Sequence, residues 1–336
     1  MTVTIQDIAN NLGIAPSTVS KVLNDYPHVS TETRNRVLAM AQELNYYPSS
    51  AARDLRLRRT NRVGFSYGYT TTNIGEYASR IINGAVAAAE KAGFNVLLYP
   101  LTGNQLGKLT RICRAREVAG VLLMGGSQLL RSIDLLQEEQ TPFVVLNREL
   151  DIPDVSFVTA DYRKATIEAV RHLVQLGHKR IAYISQPALK IMHEYRIASF
   201  QQAVQEANLV YDEDLVMSAS TIEPGAGYQA MKKLLELENR PTAVMAIHDQ
   251  LAVECLQAVI DAGLRVPEDI AIIGSDNLRE TQSTDPPLTT IHPPLADVGR
   301  LAMESLLRQL SDEDLPPVRL ILPAQLVIRQ STSGEA

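Results

Sequence analysis

Ser17, Ser20, Lys21 and Asn24 recur at helical spacing along a short stretch that opens at Pro16, with Val19, Val22 and Leu23 on the opposite side. Short hydroxyls, one amide and one cation on a common face suit the reading of phosphates and base edges in a DNA major groove, because small side chains let the backbone sit deep. Three other patterns suggest catalysis and fail on inspection. Gly64-Phe65-Ser66-Tyr67-Gly68 has the form of a nucleophile elbow, which must join a strand directly to a helix, yet the polar, β-prone Tyr69–Asn73 follows. Gly225-Ala226-Gly227-Tyr228-Gln229-Ala230 fits a dinucleotide fingerprint, but Ser218-Ala219-Ser220-Thr221 gives no apolar strand before it, and a helix start with two glycines accounts for it better. Gly103–Leu109 resembles a phosphate loop one residue short, with Leu109 where a metal-binding hydroxyl belongs. His172, His178 and His193 form no i, i+4 pair and no cluster with thiols. The expectation is therefore a protein without enzyme activity, resident metal or cofactor.

The elements that position the polar face are legible around it. Thr4 precedes Ile5, Ile8, Ala9 and Leu12, a helical stripe, and Thr4 with Asp7 has the spacing of a capping box. Gly13 can take the positive φ that ends such a helix, and Pro16 suits the first position of the next. Ser30 opens a third helix whose expected inward face is Val37, Leu38, Ala41 and Leu44. Three short helices, the second showing polar residues outward, describe a helix-turn-helix, with a helical protein-interaction module as the alternative that periodicity alone leaves open.

Charge agrees with that reading. The chain of 336 residues has a net charge of −6, but residues 1–62 hold eight basic and five acidic groups, giving +3 there and −9 elsewhere. A basic front attracts phosphate, while an acidic bulk limits non-specific adhesion. No apolar run approaches the length of a membrane span, and no basic-then-apolar leader opens the chain, so a cytoplasmic protein without membrane partners is expected. Cys113 and Cys255 lie far apart in helix-like stretches and read as buried free thiols.

Beyond Arg62 short apolar runs (Val63–Tyr67, Val96–Leu101, Val121–Met124, Phe143–Leu146, Ile181–Ser185, Ala243–Ile247 and Ile270–Ile273) alternate with helical stretches such as Ala78–Ala92, Tyr162–Gln175, Arg196–Ala207 and Asp249–Ala262. That alternation predicts α/β architecture, two doubly wound parallel-sheet lobes with a ligand cleft at the strand C-terminal ends.

Thr4-Ile5-Gln6-Asp7-Ile8-Ala9, Gly13-Ile14, Thr18–Asn24, His28-Val29-Ser30, Thr33-Arg34, Leu44-Asn45-Tyr46-Tyr47-Pro48 and Ala52-Arg53-Asp54-Leu55 together resemble the N-terminus of the lactose-repressor (LacI/GalR) family. Gly177–Ala182, Pro267–Ile270, Ile273–Asn277, Pro287–Ile291 and Leu322–Arg329 carry the resemblance through the rest of the chain. The resemblance implies a helix-turn-helix domain at 1–47, a hinge helix and linker at 48–61, and a periplasmic-binding-protein-like core at 62–336 whose chain crosses between lobes three times. It implies base contacts from Pro16, Ser17 and Lys21, and phosphate contacts from Thr18, Ser20, Asn24 and His28. In the hinge it implies DNA contacts from Ser49, Ala52 and Arg53, with Leu55 as an apolar wedge in the minor groove.

For the cleft, the resemblance implies that Arg196 and Asp276 hold a small effector, a sugar or nucleoside, with Tyr77, Asn147, Ile222 and His248 around it. From the bare sequence Arg196 could equally pair with Glu194 or Glu206 on a helix surface, Asp276 could cap a loop, and His248 could be a core histidine. This chain departs from the family pattern at Ala15, Pro16, Ser49, Asn147, Ser199 and His248. The expected partners are a double-stranded inverted-repeat operator, the effector and a second copy of the chain, as a homodimer or a dimer of dimers. The expected role is an allosterically controlled transcription regulator, a repressor.

Overall fold

The computed structural model describes residues 3–23, 26–46, 60–68, 75–100, 105–125, 128–186, 190–219, 224–312 and 314–333. The chain divides into two compact units, Met1–Thr60 and Asn61–Ala336. In the first, α1 (Ile5–Leu12), α2 (Pro16–Leu23) and α3 (Thr31–Glu43) enclose a core of Ile8, Ala9, Val19, Val22, Val37 and Ala41. Thr4 and Asp7 form the reciprocal capping box, and Gly13 ends α1 at φ 65°. Ser30 caps α3 by accepting from the Thr33 amide at 3.3 Å. One expected core residue is misplaced by the helical pattern: Leu38 is 48% exposed, because Val37 and Ala41, four apart, already fill the narrow inward stripe of α3.

The second unit contains two six-stranded sheets. Sheet order in the first lobe is β2-β1-β3-β4-β5-β11, from β1 (Arg62–Gly68), β2 (Asn95–Pro100), β3 (Gly120–Gly125), β4 (Phe143–Leu146), β5 (Phe157–Asp161) and β11 (Arg319–Pro323). The second lobe repeats the plan as β7-β6-β8-β9-β10-β12, from β6 (Ile181–Ser185), β7 (Val216–Ser218), β8 (Ala243–Ala246), β9 (Ala271–Ser275), β10 (Thr289–His292) and β12 (Gln325–Val327). All pairings are parallel except β12 on β10. Continuous burial of β3, β6, β8 and β9 is what a parallel strand covered on both faces requires, and it makes those runs the easiest to read. The short β7 and the half-exposed β11 and β12 lack that signal.

Helices α4 (Glu76–Lys91) and α11 (Leu295–Ser311) cover one face of the first sheet; α5 (Gln105–Arg114) and α6 (Leu129–Glu138) cover the other. In the second lobe α7 (Tyr162–Gln175) packs with α8 (Lys190–Glu206), whose Phe200 stacks on Tyr183 at 5.0 Å. α9 (Ala226–Leu235) packs with α10 (Asp249–Asp261). The short α12 (Gln330–Ser333) closes the chain against β9 and β10. Glycines set one close approach: a Cβ on Gly84 would fall on the Ala296 carbonyl oxygen and one on Gly299 on that of Ile81, so α4 and α11 cross backbone to backbone. The chain passes between lobes at Asp161–Tyr162, between His292 and Leu295, and between Pro323 and Gln325. Cys113 and Cys255 are free and buried.

Candidate functional site

Both sheets share the 2-1-3-4-5 strand order of doubly wound folds, which places ligand crevices beyond the carboxyl ends of the strands. Asn147, Tyr162, Gln186, His248 and Asp276 each lie one or two residues past such an end, after β4, β5, β6, β8 and β9. Asn147 and Asp276 take positive φ values of 59° and 113° as the chain turns sharply off its strand. Asn147 anchors its turn by donating its amide to the Val158 carbonyl, and Asp276 by donating its own to that of Ile291.

Arg196 is 3% exposed, and its guanidinium lies 3.4 Å from the centroid of the Tyr162 ring. It makes no hydrogen bond or ion pair with another described residue, so neither Glu194 nor Glu206 neutralises it. The Tyr162 hydroxyl stands 3.0 Å from that of Tyr77, on α4 of the other lobe, and is also hydrogen-bonded to the Asp276 carboxyl. Burial first, and the nearby Asp249 second, hold that carboxyl well above the usual range, against the pull of Arg196, Tyr162 and Arg80. Two more links join the lobes here. Glu76 accepts from the Arg279 amide at 3.0 Å while pairing with Arg80 at 2.6 Å, and Arg80 reaches the Asp276 carbonyl at 3.5 Å.

His248 caps α10: its Nδ1 accepts from the Leu251 amide at 3.3 Å, which leaves Nε2 to donate to Gln186 Oε1 at 3.2 Å. Burial, aided by Arg196, pushes its pKa down to about 4, so the ring is neutral. Asp249, fully buried beside it, accepts from the Leu278 amide at 2.7 Å and the Thr290 hydroxyl at 2.6 Å, and burial raises it to about 6.

Between the lobes Asn147, Arg148, Glu149, Thr159, Tyr162 and Arg196 line part of a cavity of ≈210 Å³, closed further by Ala160, Glu194 and Tyr195. The Asn147 side-chain oxygen is buried there without a hydrogen-bond partner. A donor-rich, partly aromatic crevice with an unmet acceptor is chemistry for binding a polar ring.

In the first unit, Pro16, Ser17, Lys21 and His28 are exposed and Thr18 and Ser20 half-buried, whereas Val19 and Val22 point into the core. The polar side of α2 is thus presented outward as the spacing predicts.

Comparison with known proteins decides what these two units are. Residues 4–49 match the family profile described as bacterial regulatory proteins, lacI family, and residues 170–332 match the periplasmic binding protein-like domain. The chain is 33% identical over 332 residues to the HTH-type transcriptional repressor PurR of Mannheimia succiniciproducens, covering 98% of each. It is 31% identical to the catabolite control protein A of Priestia megaterium, covering 99% of this chain and all of the other. Among solved structures, the lac repressor dimer bound to operator and the anti-inducer ONPF superposes with a TM-score of 0.88 at 25% identity, covering 99% of both chains. The transcriptional regulator CelR in its cellobiose complex gives 0.75 at 29%, covering 98% of this chain and 99% of that one. The chain belongs to the lacI family of bacterial regulatory proteins. It is a transcription regulator that joins a DNA-binding helix-turn-helix to a periplasmic-binding-protein-like effector domain.

Within this lacI-family frame, Tyr77, Asn147, Arg196, His248 and Asp276 gather around the inter-lobe crevice, but only Asn147 and Arg196 line the cavity itself. Ile222 lies outside the described residues, as do Asn24, Ser49, Ala52, Arg53 and Leu55. Ser199, one of the positions read from sequence as a departure from the family pattern, donates its hydroxyl to the Tyr195 carbonyl at 2.8 Å. Sequence reasoning missed Tyr162, Arg148 and Gln186. No short motif flags them, although each directly follows a strand or a site residue in the chain.

The enzyme-like patterns resolve structurally. Ser66 is wholly buried inside β1, where no elbow can form. The Gly225–Ala230 pattern opens α9 after the short strand β7, a strand not expected there. Its Gly225 and Gly227 amides already donate to the Glu254 carboxylate at 2.9 and 2.7 Å, which fills the place a phosphate would take. Leu109 is a core residue of α5. Among the described residues, no helix is long and apolar enough to cross a membrane.

Proposed function

We propose that this regulator acts as a cytoplasmic repressor without catalytic activity. It binds an inverted-repeat operator as a homodimer or dimer of dimers, and its affinity is set by a carbohydrate or nucleoside effector in the inter-lobe crevice. Pro16, Ser17 and Lys21 read bases and Thr18, Ser20, Asn24 and His28 hold phosphates. Ser49, Ala52, Arg53 and the wedge Leu55 complete the DNA contacts from the 48–61 hinge. Arg196 and Asp276, with Tyr77, Asn147, Ile222 and His248, hold the effector.

The observation that carries this reading is the buried Arg196, without a hydrogen bond or ion pair among the described residues and stacked on Tyr162, whose hydroxyl ties Tyr77 of one lobe to Asp276 of the other. An effector that engages Arg196 touches the one aromatic residue at the first chain crossing, so it binds one lobe angle better than another. Such differential affinity is what allosteric control requires. Two relatives support the assembly: the PurR repressor matches over 98% of this chain, and the lac repressor, solved as a dimer bound to operator, over 99%.

The test is operator selection from random DNA, followed by anisotropy titration with and without candidate effectors. Arg196→Ala is expected to keep operator affinity and to lose the effector response. A normal response in that variant refutes the pocket assignment; a failure to enrich any palindromic sequence refutes the operator reading.

A further inference from the structure

We propose that the cavity takes a single-ring carbohydrate bearing an anionic group, gripped by Arg148 from one lobe and Arg196 from the other. This rests on the reading of the crevice as the effector site and adds the chemical class of the effector and a residue, Arg148, that the resemblance did not supply.

The charges lining the cavity are sorted by depth. Arg196 is buried and Arg148 half-buried, whereas Glu149 and Glu194 are exposed. Neither guanidinium forms a hydrogen bond or ion pair with a described residue. Burial is the main influence on Arg148 and disfavours its charge, and Glu194 offsets this only through space. Two guanidiniums withdrawn from water without a partner among the described residues are unfavourable until an anion joins them, and both can grip phosphate or carboxylate oxygens through paired N–H donors.

A neutral diol held between an arginine and a carboxylate fits this site poorly. Asp276 does not line the cavity, it is bonded to Tyr162, and burial with Asp249 favours its uncharged form. The carboxylates that do line the cavity, Glu149 and Glu194, are exposed, so the guanidiniums are the charged groups withdrawn from water there. The rest of the lining matches a sugar ring: the buried, unpartnered Asn147 oxygen calls for a hydroxyl donor, and the Thr159 hydroxyl lies in the same wall. At ≈210 Å³ the space is smaller than the roughly 300–1,000 Å³ of drug-sized sites and suits one ring. A phosphate ester and a sugar carboxylate share the required chemistry.

The experiment is calorimetric titration of the full-length protein with glucose 6-phosphate, fructose 6-phosphate, glucuronate and galacturonate, beside glucose, fructose and galactose. At least one anion is expected to bind at least about tenfold tighter than its neutral parent. Arg148→Gln should weaken it about 10- to 100-fold, the loss of charge-assisted hydrogen bonds, and Arg148→Lys should recover part. The phosphate and carboxylate arms identify the anion. Thermal melting of the ligand-free variants checks folding, and Arg148→Lys carries the comparison where Arg148→Gln fails to fold.

A neutral sugar that binds as tightly as its anion, and that loses affinity in Arg196→Gln but not in Arg148→Gln, overturns the anionic class and leaves the crevice reading intact. An anion whose affinity survives both changes binds elsewhere, which overturns both. Absence of binding by all four anions also overturns the proposal.

Discussion

The guanidinium of Arg196 lies 3.4 Å from the centre of the Tyr162 ring, across the interface between α8 and the start of α7. A cation seated on an aromatic face is held by the ring quadrupole, most strongly when desolvated, so Arg196 is oriented before any ligand arrives. Tyr162→Phe keeps the platform and removes the hydroxyl shared with Tyr77 and Asp276. Effector affinity should fall about 3- to 10-fold, the worth of one or two net hydrogen bonds. Tyr162→Ala removes the platform too and should abolish the response while operator binding persists. Equal affinity for the effector in wild type and Tyr162→Phe would show that the hydroxyl chain plays no part.

His248 and Asp249 are neighbours whose titrations oppose each other. Buried His248 has its pKa lowered from 6.5 to about 4, so its contribution to stability is full above 6.5 and is lost as pH falls through that window. Buried Asp249 has its pKa raised from 3.8 to about 6, so its contribution is full below 3.8 and is lost as pH rises toward 6. Arg196 faces the histidine; Asp276, Glu280 and Arg329 bear on the aspartate. Urea unfolding at half-unit steps from about pH 4 to about pH 7 should therefore separate two variants, each proton being worth up to ~1.4 kcal/mol per pH unit. His248→Asn, which keeps a capping side chain, should be less acid-sensitive than wild type. Asp249→Asn should be more so. Curves parallel to wild type would remove the linkage.

The contact between α4 and α11 offers a test of packing away from the crevice. Because a Cβ at Gly84 would strike the Ala296 carbonyl, and one at Gly299 that of Ile81, neither clash can be relieved by turning a side chain. Gly84→Ala should destabilise the protein by about 3 kcal/mol or more, at or above the top of the range for overpacked cores. A melting midpoint unchanged from wild type would mean that the two helices separate at little cost.

Much of this was legible because it is written locally. The Thr4–Asp7 capping box, the Gly13 stop and the buried runs of β3, β6, β8 and β9 each depend on residues close in sequence, and each appears where the pattern puts it. Leu38 shows the limit: in a helix of this length the apolar pattern allows a wider stripe than a three-helix core can cover, and α3 leaves that leucine outside. The crevice was legible only in part. Register against a family brought Arg196, Asp276, Asn147, His248 and Tyr77 together, but Tyr162 and Arg148 acquire their meaning from a partner on another element. Tyr162 lies 34 positions before Arg196 in the numbering and 85 after Tyr77, and no period in the sequence encodes either relation.

On the DNA side, exposure of Ser17 and Lys21 on the outer face of α2 makes base reading separable from phosphate binding. Thr18, half-buried at the start of the same helix, is the residue proposed above to hold a phosphate. Lys21→Ala should cost about 1–3 kcal/mol on the selected operator, relax preference at one base pair, and do so symmetrically in both half-sites. Thr18→Ala should instead weaken binding to all sequences by a similar factor, since a phosphate contact carries no sequence information. Parallel titration of both variants against the operator and its single-base substitutions, at fixed salt, distinguishes the roles. If Lys21→Ala lowers affinity evenly across the set and flattens the salt dependence by about one unit, then Lys21 grips the backbone. Base reading by α2 would in that case fall to Pro16 and Ser17.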